Sequence, residues 1–246
     1  MAVLAVSNLA KAYDGVQALR SVSFAVDAGE LVAMIGPNGA GKTTCFNIVN
    51  GQLPSDAGNV SLDGTSLLGM PPREIWRLGV GRTFQVAATF GSMSVRENVQ
   101  MALLSHSRLL NSFFRAVGNL FIGEADELLN RVGLAEQAGR VCAELAYGDL
   151  KRLELAVALA NRPRLLLMDE PTAGTAPQER DALMGLVSTL ARGEKIAVLF
   201  TEHDMEAVFG FADRVLVLHG GELIASGAPD AVRDDARVRE VYLGDA

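Results

Sequence analysis

The chain has almost no cysteine, no excess of basic residues and no long apolar run, and each absence narrows what it can be. The two cysteines, Cys45 and Cys142, lie far apart in no metal-ligand spacing. That excludes a disulfide framework and a zinc site, and it suits packed free thiols in a reducing compartment. Lys and Arg total 22 against 29 Asp and Glu, a net charge of −7. Such a balance argues against a nucleic-acid-binding surface, so no nucleic acid is expected as a partner. No apolar run approaches the roughly 18–20 residues of a spanning helix. The first ten residues lack the basic start and long apolar core of a signal peptide, and they read as a strand. The expectation is a protein made and kept in the cytoplasm, which meets a membrane only through a partner. No tandem repeat or low-complexity linker divides the chain. Apolar residues, in contrast, are plentiful: 49% of 246 residues, enough for one large α/β domain or one domain with a subdomain.

The pattern along the chain changes twice. Residues 2–6 and 19–26 alternate as strands do. Asp27-Ala28-Gly29 is a turn, and Leu31-Val32-Ala33-Met34-Ile35 is a fully apolar strand. A loop at 54–58 precedes a predicted hairpin of residues 59–62 and 65–68 around Asp63-Gly64. Helical spacing dominates from 95 to 145, with Leu128, Leu129 and Val132 on one face. Within it, the apolar stretch Leu109-Leu110-Asn111-Ser112-Phe113-Phe114 reads as internal packing, the alternative being a patch that docks on a membrane partner. Alternation of α and β then returns: a helix at 150–160, a buried strand at 165–168, a helix from about 178 to 191, and strands at 196–200 and 214–218. Buried strands alternating with helices predict a largely parallel sheet covered on both faces. Ligands of such sheets sit at the carboxyl ends of the strands.

The most informative segment is Gly36, Pro37, Asn38, Gly39, Ala40, Gly41, Lys42, Thr43 and Thr44, directly after the apolar strand. It fits the P-loop pattern G-x-x-x-x-G-K-[ST]. A Gly-rich loop between a buried strand and a helix points several backbone N–H groups at one spot, where the helix dipole adds positive potential. Polyphosphate binds such a nest. Lys42 would reach the β- and γ-phosphates and the Thr43 hydroxyl would sit on Mg²⁺. Asp169-Glu170 and Thr201-Glu202-His203 also follow apolar strands, so three separated segments are expected to converge on one site.

Taken together, these segments resemble the nucleotide-binding subunit of an ATP-binding-cassette (ABC) transporter, over essentially the whole length. The resemblance implies an α/β P-loop nucleoside-triphosphatase core with a mostly parallel sheet, an N-terminal antiparallel β subdomain and a helical subdomain. Residues 1–94 and 150–246 would form the core with the β subdomain, and 95–149 the helical subdomain with the signature loop, as a single cassette. Tyr13 stands where the family stacks an aromatic ring on adenine. Leu165-Leu166-Leu167-Met168-Asp169 resembles the Walker B strand, Asp169 holding Mg²⁺ through water and Glu170 acting on the attacking water. Gln85, in Arg82-Thr83-Phe84-Gln85, matches the Q-loop that touches Mg²⁺ and the water, and His203 matches the switch histidine. Leu145, Ala146, Tyr147, Gly148 and Asp149 occupy the signature loop, which completes the site of an opposing subunit. This loop departs from the common L-S-G-G-Q: Ala146 replaces serine and Asp149 replaces glutamine. A carboxylate beside polyphosphate is unfavourable unless it turns to the ribose hydroxyls or caps the helix. Ala173-Gly174-Thr175-Ala176 occupies the D-loop, with Ala176 in place of an acidic or amide residue.

Arg82-Thr83-Phe84-Gln85, Leu145-Ala146-Tyr147-Gly148, Thr201-Glu202-His203-Asp204-Met205 and Val241-Tyr242-Leu243-Gly244 are most similar to the ATP-binding subunits of the branched-chain amino-acid importer family, which also serves urea and short amides. The resemblance implies ATP and Mg²⁺ as cofactors, and a second cassette, identical or paralogous, as partner. It also implies two transmembrane permease subunits and, indirectly, a solute-binding protein, at the cytoplasmic face of the cell membrane. A lipid-export ATPase is the alternative within the family. A soluble ABC ATPase acting on ribosomes or DNA ends is opposed by the single cassette and the absence of a heptad run. A P-loop kinase or GTPase is opposed by Asp169-Glu170, His203 and the signature-like loop. A binding-only cassette is opposed by the presence of Lys42, Glu170 and His203.

Overall fold

The computed structural model describes residues 2–83, 89–107 and 120–243. Its first layer is an antiparallel sheet begun by two long strands, β1 (Ala2–Tyr13) and β2 (Val16–Asp27). They turn at Asp14-Gly15, both at positive φ (47° and 85°), the pairing that matches strand twist in a tight hairpin. Both strands are longer than the alternation predicts. Register shifts along the β1–β2 ladder interrupt the period of two, so sequence periodicity marks only the regular parts. β4 (Ala57–Leu62) pairs with β1, and the two-residue β5 (Thr65–Ser66) pairs with β4. The predicted hairpin at Asp63-Gly64 is present, but its second strand stops at Ser66 because Leu67 turns inward and is buried. The predicted loop at 54–58 gives up residues 57 and 58 to β4.

The second layer is a six-stranded sheet. Its strands are β3 (Leu31–Ile35), β6 (Val80–Thr83), β7 (Leu165–Asp169), β8 (Ala197–Thr201), β9 (Arg214–His219) and β10 (Glu222–Gly227), in the spatial order β10-β9-β3-β8-β7-β6. All neighbours are parallel except β10, which returns antiparallel on β9. Both faces are covered, so β3 is apolar at every position, and β7 and β8 are apolar up to their last residues, Asp169 and Thr201. Leu31, Ala33, Ile35, Leu166, Met168, Val198 and Phe200 point into one core. Val32, Met34, Leu165, Leu167, Ala197 and Leu199 point into the other, shared with β1 and β2.

Helices fill the remaining space. α1 (Lys42–Val49) lies in the core shared with the first layer, through Cys45, Phe46, Ile48 and Val49. α2 (Pro72–Arg77) precedes β6. α3 (Val95–His106) opens with a capping box: the Ser94 hydroxyl accepts from Glu97 N, and the Glu97 carboxylate accepts from Ser94 N at 2.7 Å. α4 (Ile122–Arg131) buries Leu128 and Leu129, with Val132 just beyond, as their shared face predicts. The continuous helical character expected up to residue 145 gives way after α4 to two short 3₁₀ turns, Ala135–Gln137 and Cys142–Glu144. The apolar stretch 109–114 lies outside the described residues. α5 (Tyr147–Leu159) starts three residues before the predicted helix. Ala146, extended at φ −62° and ψ 153°, is its N-cap, and Leu150 N already donates to Ala146 O at 2.9 Å. α6 (Pro177–Glu194) and α7 (Met205–Phe211) flank β8, and α8 (Pro229–Asp234) and α9 (Ala236–Leu243) close the chain. Among the described residues no helix is long and apolar enough to cross a membrane.

Burial of Cys45 at the centre of α1 pushes its thiol up to about 12. At pH 8 only ~10⁻⁴ of that thiol is thiolate. Iodoacetamide at pH 8 should therefore leave Cys45 unmodified in the native protein and alkylate it after unfolding in urea. Peptide mass spectrometry reads the difference, and native labelling would contradict this packing.

Candidate functional site

The first sheet strand, β3, ends against residues 36–44, which lead into α1. Gly41, the α1 N-cap, has φ 107°, and a Cβ there would lie 2.5 Å from the Ala18 carbonyl oxygen. Only glycine meets both demands. The helix has no capping side chain and no acidic residue in its first turn. Its leading N–H groups and its positive end are thus left to face an anion. Lys42 folds back across the loop: Nζ donates to Gly36 O at 2.6 Å and to Pro37 O at 3.2 Å. Burial lowers the pKa of this ammonium, and the nearby Glu170 and Asp169 carboxylates oppose that shift.

Those carboxylates come from the end of β7. Its parallel partner β8 sets Thr201 beside Asp169. The Thr201 hydroxyl donates to Asp169 Oδ1 at 2.8 Å. Glu170 N donates to Thr201 O and Oγ1, both at 3.1 Å. Glu170 is thereby held at φ 48°, a left-handed conformation that costs a residue with a side chain about 1 kcal/mol or more and marks sites where position outweighs comfort. Two residues after Thr201, His203 Nε2 meets Glu170 Oε1 at 2.8 Å. Asp169 is also faced by Arg82 from β6, whose Nη2 lies 3.6 Å from Oδ2. Arg82 Nη1 donates to Asn47 and Gln52 at 2.9 and 2.8 Å, tying α1 to the carboxylate strand.

One cavity of about 170 Å³ gathers Asn38, Gly39, Ala40, Gly41, Lys42, Thr43, Thr44, Asp169, Glu170 and His203, together with Ala18. The three segments expected to converge do so. Thr43 and Asp169 both line this cavity, and a hydroxyl and a carboxylate are hard oxygen donors that suit Mg²⁺. Gly36 and Pro37 contribute the carbonyls that hold Lys42. Gln85 lies outside the described residues. Tyr13 does not line the cavity: it is the last residue of β1, 43% exposed, with Lys11 Nζ 5.7 Å from its ring. It belongs to the same hairpin as Ala18, which does line it. Ala146, Tyr147, Gly148 and Asp149 do not line this cavity either; they form the N-cap and first turn of α5. Asp149 does not cap that helix, because the N-cap is Ala146 and no side-chain cap bond forms. It sits in the first turn, where its charge complements the helix dipole. Residues that sequence reasoning left without a role are Thr201 and Arg82. A hydroxyl at the end of the strand paired with the carboxylate strand was the available signal for Thr201.

A parallel sheet with this loop after one strand and this carboxylate pair after another defines a P-loop nucleoside triphosphatase. The family model for ABC transporters matches residues 19–173, and that for the branched-chain amino acid ATP-binding cassette transporter matches residues 222–246. The high-affinity branched-chain amino acid transport ATP-binding protein BraF of Pseudomonas aeruginosa is 38% identical, covering 99% of this chain and 98% of its own. The lipopolysaccharide export system ATP-binding protein LptB of Escherichia coli K12 is 36% identical, covering 100% and 98%. Among solved structures, a nucleotide-free ATP-binding cassette from an ABC transporter superposes with TM-score 0.89 at 30% identity. The ADP conformation of the ATP-binding cassette MJ1267 superposes with TM-score 0.88 at 29% identity; both structures cover each chain in full. The chain belongs to the ABC transporter ATP-binding family.

Gly41→Ala should destabilise the protein by at least ~2 kcal/mol, combining left-handed strain with the clash on Ala18. Gly39→Ala, at φ 81° with nothing within 4 Å of the added Cβ, carries the strain alone and should cost about 1 kcal/mol. Urea unfolding midpoints compare them, and equal midpoints would refute the close approach at Gly41.

Proposed function

We propose that this chain hydrolyses ATP to drive an ABC importer, and that its solute is a branched-chain amino acid or a related small organic molecule. The observation that carries the catalytic part is the convergence of Lys42, Asp169, Glu170 and His203 on one cavity, with His203 and Glu170 2.8 Å apart. That cavity suits a polyphosphate tail. The adenine lies outside it, stacked on the exposed ring of Tyr13 at the end of the same hairpin.

In this reading the N–H groups of residues 38–44 cradle the β- and γ-phosphates, and Lys42 exchanges the Gly36 and Pro37 carbonyls for phosphate oxygens. Thr43, Asp169 and Gln85 would hold Mg²⁺, which would supply positive charge against the phosphate oxygens. Glu170 accepts the proton of the attacking water as its oxygen bonds to the γ-phosphorus, and the bond to the β–γ bridging oxygen breaks to leave ADP. His203 orients Glu170 and hydrogen-bonds the γ-phosphate. Because the first turn of α5 stands apart from this cavity, Ala146, Tyr147, Gly148 and Asp149 serve the nucleotide of a second cassette, identical or paralogous. Closure of the pair on ATP and reopening after hydrolysis supply the work, since the two states differ in ATP affinity. Residues 1–94 and 150–246 act as the nucleotide-binding core and 95–149 as the arm that carries the α5 turn. Two permease subunits at the cytoplasmic face of the membrane receive the motion, and a solute-binding protein delivers cargo to them.

The match of residues 222–246 to the branched-chain amino acid cassette family supports import. The similarity to LptB keeps lipid export as the second reading. Purification in mild detergent through a tag on this chain separates them: two polytopic permeases with a second cassette support import, and an export-type membrane partner supports the other. Glu170→Gln in that complex should still bind ATP but hydrolyse it on the order of 10² to 10⁴ times more slowly. Lys42→Ala should abolish ATP-dependent transport. Normal turnover by Glu170→Gln would remove Glu170 as the base, and retained transport by Lys42→Ala would reject the P-loop assignment.

A further inference from the structure

Beside His203 lies a carboxylate that the reaction above does not use. Glu202 is 4% exposed and does not line the phosphate cavity. Its Oε1 accepts from Thr172 N at 2.8 Å and from Thr172 Oγ1 at 2.6 Å, and its Oε2 faces His203 N at 3.3 Å. Thr172 is buried too and follows Glu170 by two residues. On the other side of His203, Asp204 caps α7, accepting from Glu206 N and Ala207 N at 2.8 and 3.3 Å. Asp204 is in turn paired with Arg180 in the first turns of α6. The backbone of His203 is therefore bracketed by two carboxylates, each anchored in the stretch 172–180.

That same stretch touches the first turn of α5. A Cβ on Gly174 would stand 3.5 Å from the Tyr147 ring, and one on Gly148 would stand 3.0 Å from the Glu179 carboxyl carbon. It lies between the turn that serves a partner's nucleotide and the histidine that serves this chain's own.

We infer that Glu202 and Thr172 form a clamp that positions His203 on Glu170, so that the 171–176 loop and the His203 turn move as one unit. The inference rests on His203 taking part in hydrolysis, as proposed above. A buried carboxylate needs its donors, and each lost donor leaves an acceptor unsatisfied in a low-dielectric surrounding. Displacement of the loop by a partner cassette is then passed to His203 through Glu202. Both are positioning residues, with no contact to ATP.

The test measures ATP hydrolysis by the purified transporter complex carrying His203→Ala, Thr172→Val, Thr172→Ser, or the first two together. Thr172→Val removes the 2.6 Å bond while keeping the side-chain shape. It should lower kcat about tenfold or more, the usual worth of a bond to a charged group, and leave KM for ATP within about twofold. Thr172→Ser restores the hydroxyl and should recover most of kcat. In the His203→Ala background, Thr172→Val should add nothing, because its effect runs through the imidazole. If Thr172→Val does not fold, Glu202→Gln replaces it: its amide keeps an oxygen for Thr172 but sets an N–H donor against His203 N, and the same loss of kcat is expected. An impaired His203→Ala enzyme with normal turnover by Thr172→Val, or with the two losses multiplying, overturns the clamp alone. Wild-type hydrolysis by His203→Ala overturns the site reading and the clamp with it.

Discussion

The parallel register of β7 and β8 sets Asp169 beside Thr201, and the chemistry of the site depends on that pairing. One hydroxyl does two tasks there, donating to the Asp169 carboxylate and accepting from the Glu170 amide. Because both strands end at the same level, the residues that follow emerge side by side. Glu170 is turned left-handed into the cavity, while Glu202 turns inward to Thr172 and His203 back toward Glu170. A slip of one residue in a sheet apolar on both faces would exchange Leu165 and Leu167 for Leu166 and Met168 between the two cores. The packing of both cores therefore fixes the register, and the register fixes the carboxylates.

Charge balance is the second constraint. Lys42 is buried, and burial alone disfavours its ammonium. The carboxylates at the end of β7 oppose that shift, and the Gly36 and Pro37 carbonyls accept hydrogen bonds from the ammonium. Arg82 balances Asp169 from the far side. The cavity thus sets the Lys42 ammonium against the Asp169 and Glu170 carboxylates, with Arg82 pairing Asp169 from outside it. A polyphosphate that draws Lys42 forward also removes it from those carbonyls, so part of its binding energy goes to that exchange.

The site was more legible in the sequence than the frame around it. The P-loop, Asp169-Glu170 and His203 each follow a run of apolar residues, and each run proved to be a strand whose carboxyl end faces the cavity. What sequence periodicity missed has physical causes. The bulged ladder of β1 and β2 hides their full length, because alternation fails wherever the register shifts. The start of α5 was hidden because Tyr147, Gly148 and Asp149 carry no apolar stripe. A helix's first turn needs only a suitable N-cap backbone, which Ala146 supplies. The Asp14-Gly15 turn was a readable hairpin signal that the strand assignment at 2–6 passed over. Thr172 and Glu202 could not be paired from sequence at all. They are 30 residues apart, and their contact exists only because β7 and β8 are neighbours.

The placement of the α5 turn bears on how the two halves of the site act together. Tyr147 and Gly148 rest on Gly174 and Glu179, and the same stretch anchors Glu202 through Thr172 and Asp204 through Arg180. Tyr147 is 44% exposed and has Lys151 Nζ 5.5 Å from its ring, so the ring is held by one neighbour and is otherwise partly exposed. In the proposed pair of cassettes the exposed part of this ring lies toward the opposite nucleotide. Gly174, the neighbour of the ring in the 172–180 stretch, carries no side chain between that backbone and Tyr147. In the proposed mechanism the turn and the histidine are linked through this one short stretch, whose buried Thr172–Glu202 contact cannot be loosened without leaving an unsatisfied group.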